Sequence, residues 1–322
     1  MTFFKNLGIP GPKPHPIYGN LPELFEVGVL KATEGWASKY GDIVGYFDGF
    51  RPVLIVRDTQ LLKQIFIRNF DSFNARLRVV ELTSVKSVNN EKISRLSGNK
   101  WRMMRALTSP AFKSSMLRRA FPIIEKCTDE FLEIMDEKVA PERECVQIDQ
   151  PFFRLSMEIL LRYTMGARLN LQAASRETEP FVNSVREALE RSPYNWIMIF
   201  NVIPLWYSIK RLTVFVRECL HVPSTTRVHQ HIAELVRLRR AEGRRGNEDL
   251  LQLLLNAEEK YGEQTKLDST IPFTGKADKS PRGLGIPPFA TVANAELFLI
   301  AGLETVTSTL SFTAYLLAKH QD

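Results

Sequence analysis

The sequence has few cysteines, and their spacing excludes two classes of protein. Cys127, Cys145 and Cys219 are spread over 322 residues. A disulfide-rich secreted domain or a zinc site would need closer, paired spacing, so the pattern indicates a reducing compartment. Among the five histidines, His229 and His231 stand two residues apart and would point in different directions on a helix. The sequence therefore predicts no metal site of its own.

The chain also lacks a signal peptide pattern, an uninterrupted membrane-spanning run and a nucleic-acid-binding module. Its longest apolar stretch, Trp196–Ile209, contains Asn201 and Pro204 and is shorter than the roughly 20 residues that a spanning helix needs. Aromatic residues flank this stretch, so it is either a buried core loop or a segment that dips into a membrane. The net charge of +7 is modest and spread along the chain, and basic stretches carry no interleaved aromatics, which excludes nucleic acid as a partner.

The N-terminal part of the sequence contains a proline-rich segment and a predicted β hairpin. The four prolines of Ile9–Pro16 predict a stiff extended strap, of the kind that also forms interdomain linkers. Ile43–Phe47 and Pro52–Val56 read as strands joined at Asp48-Gly49.

Helical patterns dominate from about residue 100 onward. They are interrupted over residues 262–286, where Gly, Pro, Ser, Thr and Lys without periodicity predict an exposed, partly disordered loop. A last helix is predicted over residues 287–320, with prolines in its first turn. This order predicts one mainly α domain over residues 21–322, with a small N-terminal β element.

The last helix contains an unusual polar group inside an apolar pattern. Leu297, Ala301 and Thr305 fall on one face, with Phe298 and Gly302 beside them and Glu304 next to the threonine. A threonine hydroxyl can bond the carbonyl four residues back and loosen the helix. The segment is therefore either a small, slightly polar patch in an apolar wall or a notch where Ala and Gly allow a neighbouring helix to approach.

A second candidate site lies in the sequence Trp101-Arg102-Met103-Met104-Arg105. Trp101 and Arg105 stand one helical turn apart, and an indole N–H with a guanidinium can hold a carboxylate or phosphate. Arg76 could add to such an anion site. The alternative is a surface arginine that covers an aromatic side chain.

Taken in order, four segments resemble the cytochrome P450 family, and within it the animal microsomal enzymes of family 3. Ile9–Asn20 resembles the proline-rich hinge that follows the membrane anchor, and Lys39–Leu54 the first β hairpin. Trp101–Leu117 resembles the C-helix motif, Trp-x-x-x-Arg followed by Ser-Pro-x-Phe. Ala301–Phe312 resembles the I-helix motif, [AG]-G-x-[DE]-T. The resemblance covers nearly the whole chain and implies a P450 fold that lacks its later part.

The resemblance implies a haem b cofactor and gives the flagged residues roles toward it. Trp101, Arg105 and Arg76 would hold the haem propionates. Ala301 and Gly302 would line the surface against which the haem lies. In P450 enzymes water is otherwise excluded from this site, and protons are delivered to the oxygen that binds there.

The remaining implied roles concern oxygen and substrate. Thr305 resembles the threonine that hydrogen-bonds the oxygen molecule, and Glu304 the acid that relays protons. The implied substrate-lining residues are Ser94, Phe200, Leu297 and Phe298. The region from Phe200 to Trp206 matches the part of the family that touches the membrane, which favours the membrane interpretation of Trp196–Ile209.

The chain departs from the family in three places. The cysteine loop Phe-x-x-Gly-x-Arg-x-Cys-x-Gly, which supplies the iron ligand, does not occur, and Cys127, Cys145 and Cys219 lie in unrelated contexts. The Glu-x-x-Arg helix after the I-helix and the N-terminal anchor helix are not found either. We therefore expect a truncated chain that is inactive alone. Two alternatives are a non-catalytic paralogue that acts through membrane or partner binding, and a helical carrier of lipophilic ligands without haem.

The resemblance also implies partners and a location. A P450 monooxygenase inserts one oxygen atom from O2 into a lipophilic small molecule, with electrons from NADPH–cytochrome P450 reductase. The implied location is the cytoplasmic face of the endoplasmic reticulum membrane. The identity of the substrate stays open.

Overall fold

A computed structural model describes residues 2–75, 91–139, 147–190, 224–243, 249–268 and 285–321. By its contacts, the chain divides into two compact units. The first comprises Met1–Val85 and Ser192–Leu220, and the second Lys86–Arg191 and His221–Asp322. The prediction of a mainly α protein with a small N-terminal β element is confirmed.

The first unit contains short helices around a two-stranded antiparallel sheet. Its elements are α1 (Phe3–Asn6), α2 (Leu21–Val27), α3 (Val29–Tyr40), β1 (Ile43–Asp48), β2 (Arg51–Val56) and α4 (Thr59–Lys63). Asp48 pairs with Arg51, so the turn consists of Gly49 and Phe50, one residue later than predicted. The side chain of Asp58 caps α4 by accepting a hydrogen bond from the Leu61 amide. The unit's core is formed by Leu21, Leu24, Ala32, Trp36 and Val44.

The proline-rich segment lies along β1. The amide of Gly45 donates to the carbonyl of Pro10 at 2.9 Å. The two backbones approach so closely that a Cβ on Gly11 would fall 1.9 Å from the Gly45 oxygen, which only glycine allows. The segment is not extended throughout, because His15 and Gly19 close a tight turn. The stiff extended strap predicted for Ile9–Pro16 therefore ends in a turn, within the segment 1–20 that the resemblance implies as a hinge.

The second unit is helical in its described part. Its helices are α5 (Gly98–Thr108), α6 (Ser114–Val139), α7 (Asp149–Met165), α8 (Glu179–Glu190), α9 (Ser224–Glu242), α10 (Leu250–Asp268) and α11 (Pro288–Lys319). A 3₁₀ turn, Ser109–Phe112, connects α5 and α6 at the predicted Ser-Pro-x-Phe sequence. Helix α10 runs to Asp268, so the loop predicted from residue 262 is wrong over 262–268; glutamate, glutamine, lysine and leucine there favour a helix. Residues 269–284 lie outside the described residues.

The core of this unit is built where α7 and α11 pack together, with α8 and α9 against them. Its fully buried side chains include Met157, Leu161, Val185, Val228, Ile232, Val236, Leu299 and Leu303. Such side chains each contribute about 1.5–3 kcal/mol when buried, so this cluster fixes the position of α11. The site residues on α11 are thus carried by the best-packed helix pair of the unit.

Within the described residues, one helix, α11, is long and apolar enough to cross a membrane by length and composition. Half of its most apolar window is buried inside the protein. A core helix passes the same test, so this finding gives weak support for a membrane span. The segment Trp196–Ile209 lies outside the described residues.

Candidate functional site

The predicted face of α11 changes from buried to open along its length. Leu297 and Phe298 are half-buried, whereas Ala301, Glu304 and Thr305 are exposed. Ala301 and Thr305 are one turn apart on the same face. The structure therefore presents a small side chain, a hydroxyl and a carboxylate together on an accessible part of the helix.

The hydroxyl of Thr305 is bonded to the helix backbone. Its Oγ1 lies 3.0 Å from the carbonyl oxygen of Ala301 and 3.2 Å from that of Gly302. The back-bonding expected from the sequence is thus present. The hydroxyl proton points toward the backbone, which leaves the oxygen lone pairs available to accept a hydrogen bond from outside the helix.

Gly302 lies where α11 packs against α7, and not on the exposed face of α11. A Cβ placed on it would lie 2.9 Å from Cδ2 of Leu160 on α7. The glycine therefore allows α7 and α11 to approach closely. Gly302 therefore acts as a notch that lets a neighbouring helix approach. The exposed Ala301 instead fits the alternative of a small, slightly polar patch.

The candidate anion site lies on α5. Trp101 is half-buried and packs against a cluster formed by Leu96, Met104, Leu107, Ala111, Leu250, Leu254, Ala257, Ile286 and Ala290. Arg105, one turn later, is exposed. Trp101 is thereby held by packing while the guanidinium remains accessible, as an anion-binding pair requires.

The same cluster connects α5 with α11. Phe298 of α11 packs against it, and its ring lies 5.5 Å from that of Phe112 in the turn after α5. Ser94, which precedes α5, is exposed in the turn that leads into the cluster. Trp101 and Phe298 therefore pack against one cluster, and the exposed Ser94 lies between two residues that also pack there, Ile93 and Leu96.

Two predicted site residues cannot be placed. Arg76 and Phe200 lie outside the described residues, so their predicted roles stay predictions. Cys145 and Cys219 lie outside them as well.

Cys127 is unsuited to binding a metal in this conformation. It is fully buried on α6 in a cluster with Phe131 and Leu155. Burial raises the pKa of the Cys127 thiol, and the nearby Arg162 guanidinium opposes this only in part. Within the described residues, no group of three or more His, Cys, Asp or Glu side chains could hold a metal ion.

Sequence reasoning missed a polar cluster on the buried half of α11. Asn294 and Glu296 hydrogen-bond the segment Glu91–Leu96, and His229 of α9 also contacts Glu296. The sequence does contain a signal for this cluster, because two polar residues, Asn294 and Glu296, stand in a strongly apolar helix. Buried polar side chains in such a position need specific partners.

The family was identified by comparison with known proteins. The family model described as Cytochrome P450 matches residues 9–322. The chain belongs to the cytochrome P450 family. It is 27% identical over 325 residues to cytochrome P450 3A13 of Mus musculus and 28% identical over 331 residues to cytochrome P450 3A14 of Cavia porcellus. It is 26% identical over 327 residues to the lithocholate 6-beta-hydroxylase of Mesocricetus auratus.

These P450 alignments cover 99% of the chain and 58–59% of each relative. The chain therefore spans a little under three fifths of the length of the curated relatives it matches. The similarity to family 3 enzymes expected from the motifs is confirmed.

The residues present fit one side of a haem site. Ala301 is small and exposed, so a flat ring could lie against α11 at that position, and Thr305 offers an acceptor oxygen beside it. The exposed Arg105 offers donors for a carboxylate, and Trp101 packs one turn before it. The thiol that the structure describes, Cys127, does not fit as the ligand on the opposite side.

Proposed function

We propose that this chain forms the oxygen-activating side of a haem-thiolate monooxygenase that oxidises lipophilic small molecules. The exposed Ala301–Thr305 face of α11, in a chain that matches the P450 family from residue 9 to residue 322, supports this proposal most strongly. The mouse relative is named a cytochrome P450, and the hamster relative is named a hydroxylase. Haem, when bound, supplies the oxygen chemistry.

The proposed contribution of the chain is to bind and to orient. Trp101 and Arg105 hold propionates through an indole N–H and a guanidinium, which are charge-assisted contacts. Ala301 leaves room for the ring against α11. A large side chain at that position would occupy the same space, so the small size of Ala301 is part of the proposal.

The proposed proton path uses two neighbouring side chains. The Glu304 carboxylate is exposed and can exchange protons with water. Thr305 Oγ1 donates to the Ala301 carbonyl at 3.0 Å, so to pass its proton outward the hydroxyl would turn away from that carbonyl while its oxygen accepts a proton from water. A hydroxyl in this position can receive a proton from one partner and pass its own to another.

Haem titration of residues 1–322 tests the proposal. We expect Arg105→Ala to weaken haem affinity about tenfold or more, since hydrogen bonds to charged groups contribute about 1.5–3 kcal/mol. Arg102→Ala is the matched control, because Arg102 is an exposed arginine of α5 whose guanidinium bonds Asn99 and which does not stand one turn from Trp101. The measurement is the Soret absorbance on stepwise addition of haem. Equal effects of the two substitutions, or no haem binding by the unmodified chain, would contradict the proposal.

The reduced carbon monoxide spectrum tests the iron ligand. Since the 322 residues contain no Phe-x-x-Gly-x-Arg-x-Cys-x-Gly loop, we expect no thiolate-type Soret band from this chain alone. A thiolate-type band would sink that part of the proposal. A non-catalytic role is the alternative, and transcripts that carry a stop codon after Asp322 would favour it.

Partners and location follow from the same proposal. We infer a lipophilic substrate, NADPH–cytochrome P450 reductase as electron donor, and the cytoplasmic face of the endoplasmic reticulum membrane. Exposed apolar side chains in the first unit, among them Phe3, Leu7, Val29 and Leu30, support contact with a lipid surface. Flotation with neutral phosphatidylcholine vesicles is the test. Failure of the chain to float with them would count against membrane contact.

A further inference from the structure

A short segment before α5 is fastened to α11 by side-chain hydrogen bonds. Asn294 is fully buried, and its Oδ1 accepts from the Ile93 amide at 2.8 Å. Its Nδ2 donates to the carbonyl of Glu91 at 2.9 Å and to that of Ala290 at 2.8 Å. The side-chain amide thus uses both donor hydrogens and its acceptor, two of the three bonds going to the segment 91–96.

An ion pair fastens the same segment two residues further along α11. Glu296 Oε1 lies 2.8 Å from Nζ of Lys92, and Oε2 lies 3.1 Å from Nδ1 of His229 on α9. The Glu296 side chain is only 5% exposed. Burial alone would raise the pKa of Glu296, but the hydrogen bond to His229 and the charge of Lys92 outweigh burial and hold it below its usual value.

Apolar packing completes the attachment. Leu96 is buried, and Ile93 packs beside it in the cluster that also contains Ala290 and half-buried Trp101. The segment therefore has its backbone, its charge and its apolar side chains matched to α11 and α5. A buried charge or amide left without these partners would be costly, so the arrangement favours one position of the segment.

Asn294 and the open face occupy the same side of α11, whereas Glu296, two residues after Asn294, points to a different side. Asn294, Phe298, Ala301 and Thr305 follow one another at spacings of three or four residues. Seven residues separate Asn294 from Ala301, about 10 Å along the axis at 1.5 Å per residue. The contact of Asn294 with the segment 91–96 thus lies about two turns before the face proposed for haem.

We propose that Asn294 and Glu296, with Lys92 and His229, are positioning residues that fix the segment 91–96 and thereby the place of exposed Ser94. We call these four side chains the clasp. The consequence for substrate specificity rests on the proposed function and on the substrate-lining role that the family resemblance implies for Ser94. The positioning itself does not depend on haem, so the two can fail separately.

Amide hydrogen exchange on residues 1–322 without haem tests the clasp. In Asn294→Ala, we expect the Ile93 amide to exchange about 5- to 10-fold faster, since it loses its acceptor. Exchange in the central turns of α7 should stay unchanged. Thr291→Val is the matched control, because buried Thr291 bonds Glu258 on α10 and not the segment 91–96.

A second pair of variants keeps the test decisive if Asn294→Ala does not fold. Lys92→Met should speed exchange across 91–96 several-fold, and Lys92→Arg should restore slow exchange because it keeps the charge and a donor. A merely structural defect would raise exchange in α7 as well. Unchanged exchange of Ile93 in Asn294→Ala, or no difference between Lys92→Met and Lys92→Arg, would overturn the proposal.

Discussion

Both halves of α11 carry large apolar side chains, but they lie in opposite environments. In Pro288–Leu303, most side chains face the protein, and Leu299 and Leu303 are completely buried. In the half from Glu304 to Lys319, large apolar side chains are exposed, among them Phe312 at 69% and Leu317 at 68%. Hydrophobicity alone therefore did not decide burial. The first half packs against other helices and carries Leu297, Phe298, Ala301 and Gly302 of the candidate site, and the second half begins with Glu304 and Thr305.

Hydroxyl side chains mark the second half. Thr305, Thr309 and Thr313 each bond the carbonyl four residues back, at 3.0, 2.8 and 2.7 Å. Such bonds satisfy a hydroxyl without a tertiary partner. The first half instead satisfies its polar groups through other segments, as Asn294 and Glu296 do. The difference between the halves is thus a difference between long-range and local hydrogen bonding.

The largest expected effect separates Leu303 from Leu317. Leu303→Ala removes a fully buried side chain from the α7–α11 cluster and should lower the free energy of unfolding by about 2–5 kcal/mol. Leu317→Ala, made on the exposed half, should change it by less than about 0.5 kcal/mol. Urea denaturation followed by circular dichroism measures both. Similar losses for the two would show that the second half is also packed.

The next contrast separates two glutamates. Glu296→Gln should cost about 1.5–3 kcal/mol at pH 7, because Lys92 and His229 lose a charged acceptor. Glu304→Gln, on an exposed carboxylate, should cost less than about 0.5 kcal/mol. Urea denaturation at pH 7 measures both losses of unfolding free energy. Equal losses would show that the contacts of Glu296 with Lys92 and His229 add no stability.

The pH dependence has a definite sign for Glu296. Its pKa is lower in the folded state, so its stabilising contribution is present above the ordinary glutamate pKa of about 4.3. The contribution is lost as the pH falls through the lower folded value. The difference between the unmodified chain and Glu296→Gln should therefore shrink below about pH 4. A difference that grows there would contradict the assignment.

A smaller effect compares two adjacent small residues. Gly302→Leu should destabilise the fold by about 1–3 kcal/mol, because Leu160 occupies the space beside Gly302. Ala301→Leu should cost less than about 0.5 kcal/mol, since Ala301 is exposed, yet it should weaken haem binding. Thermal unfolding and haem titration of both variants give the answer. The prediction would be contradicted if Ala301→Leu destabilised the fold more than Gly302→Leu does, or if Ala301→Leu left haem binding unchanged.

The smallest effect concerns Thr305. Thr305→Ala should change the free energy of unfolding by less than about 0.5 kcal/mol, because it loses only a local back-bond on an exposed face. Thr309→Ala has the same local bond and serves as its control. Urea denaturation compares the two. A clearly larger cost at Thr305 would indicate a tertiary role that the structure does not show.

Local elements were predictable because their signals are local. The strands on either side of Gly49 and the helical turn that joins Trp101 and Arg105 depend on residues within a few positions of one another. The prediction failed where a local signal was ambiguous, as at Gly262, because one glycine did not end α10. The turn at His15–Gly19 was missed since four prolines suggested one extended segment.

By itself, the sequence determined the family, the helical class and the local bond from Thr305 to Ala301. These follow from motifs and from interactions within one helical turn. Only the tertiary structure decided that Gly302 packs against Leu160 while Ala301 stays open, and that Asn294 and Glu296 hold residues 91–96. The physical reason is sequence distance: Ile93 and Asn294 are 201 residues apart, so no local pattern specifies their bond.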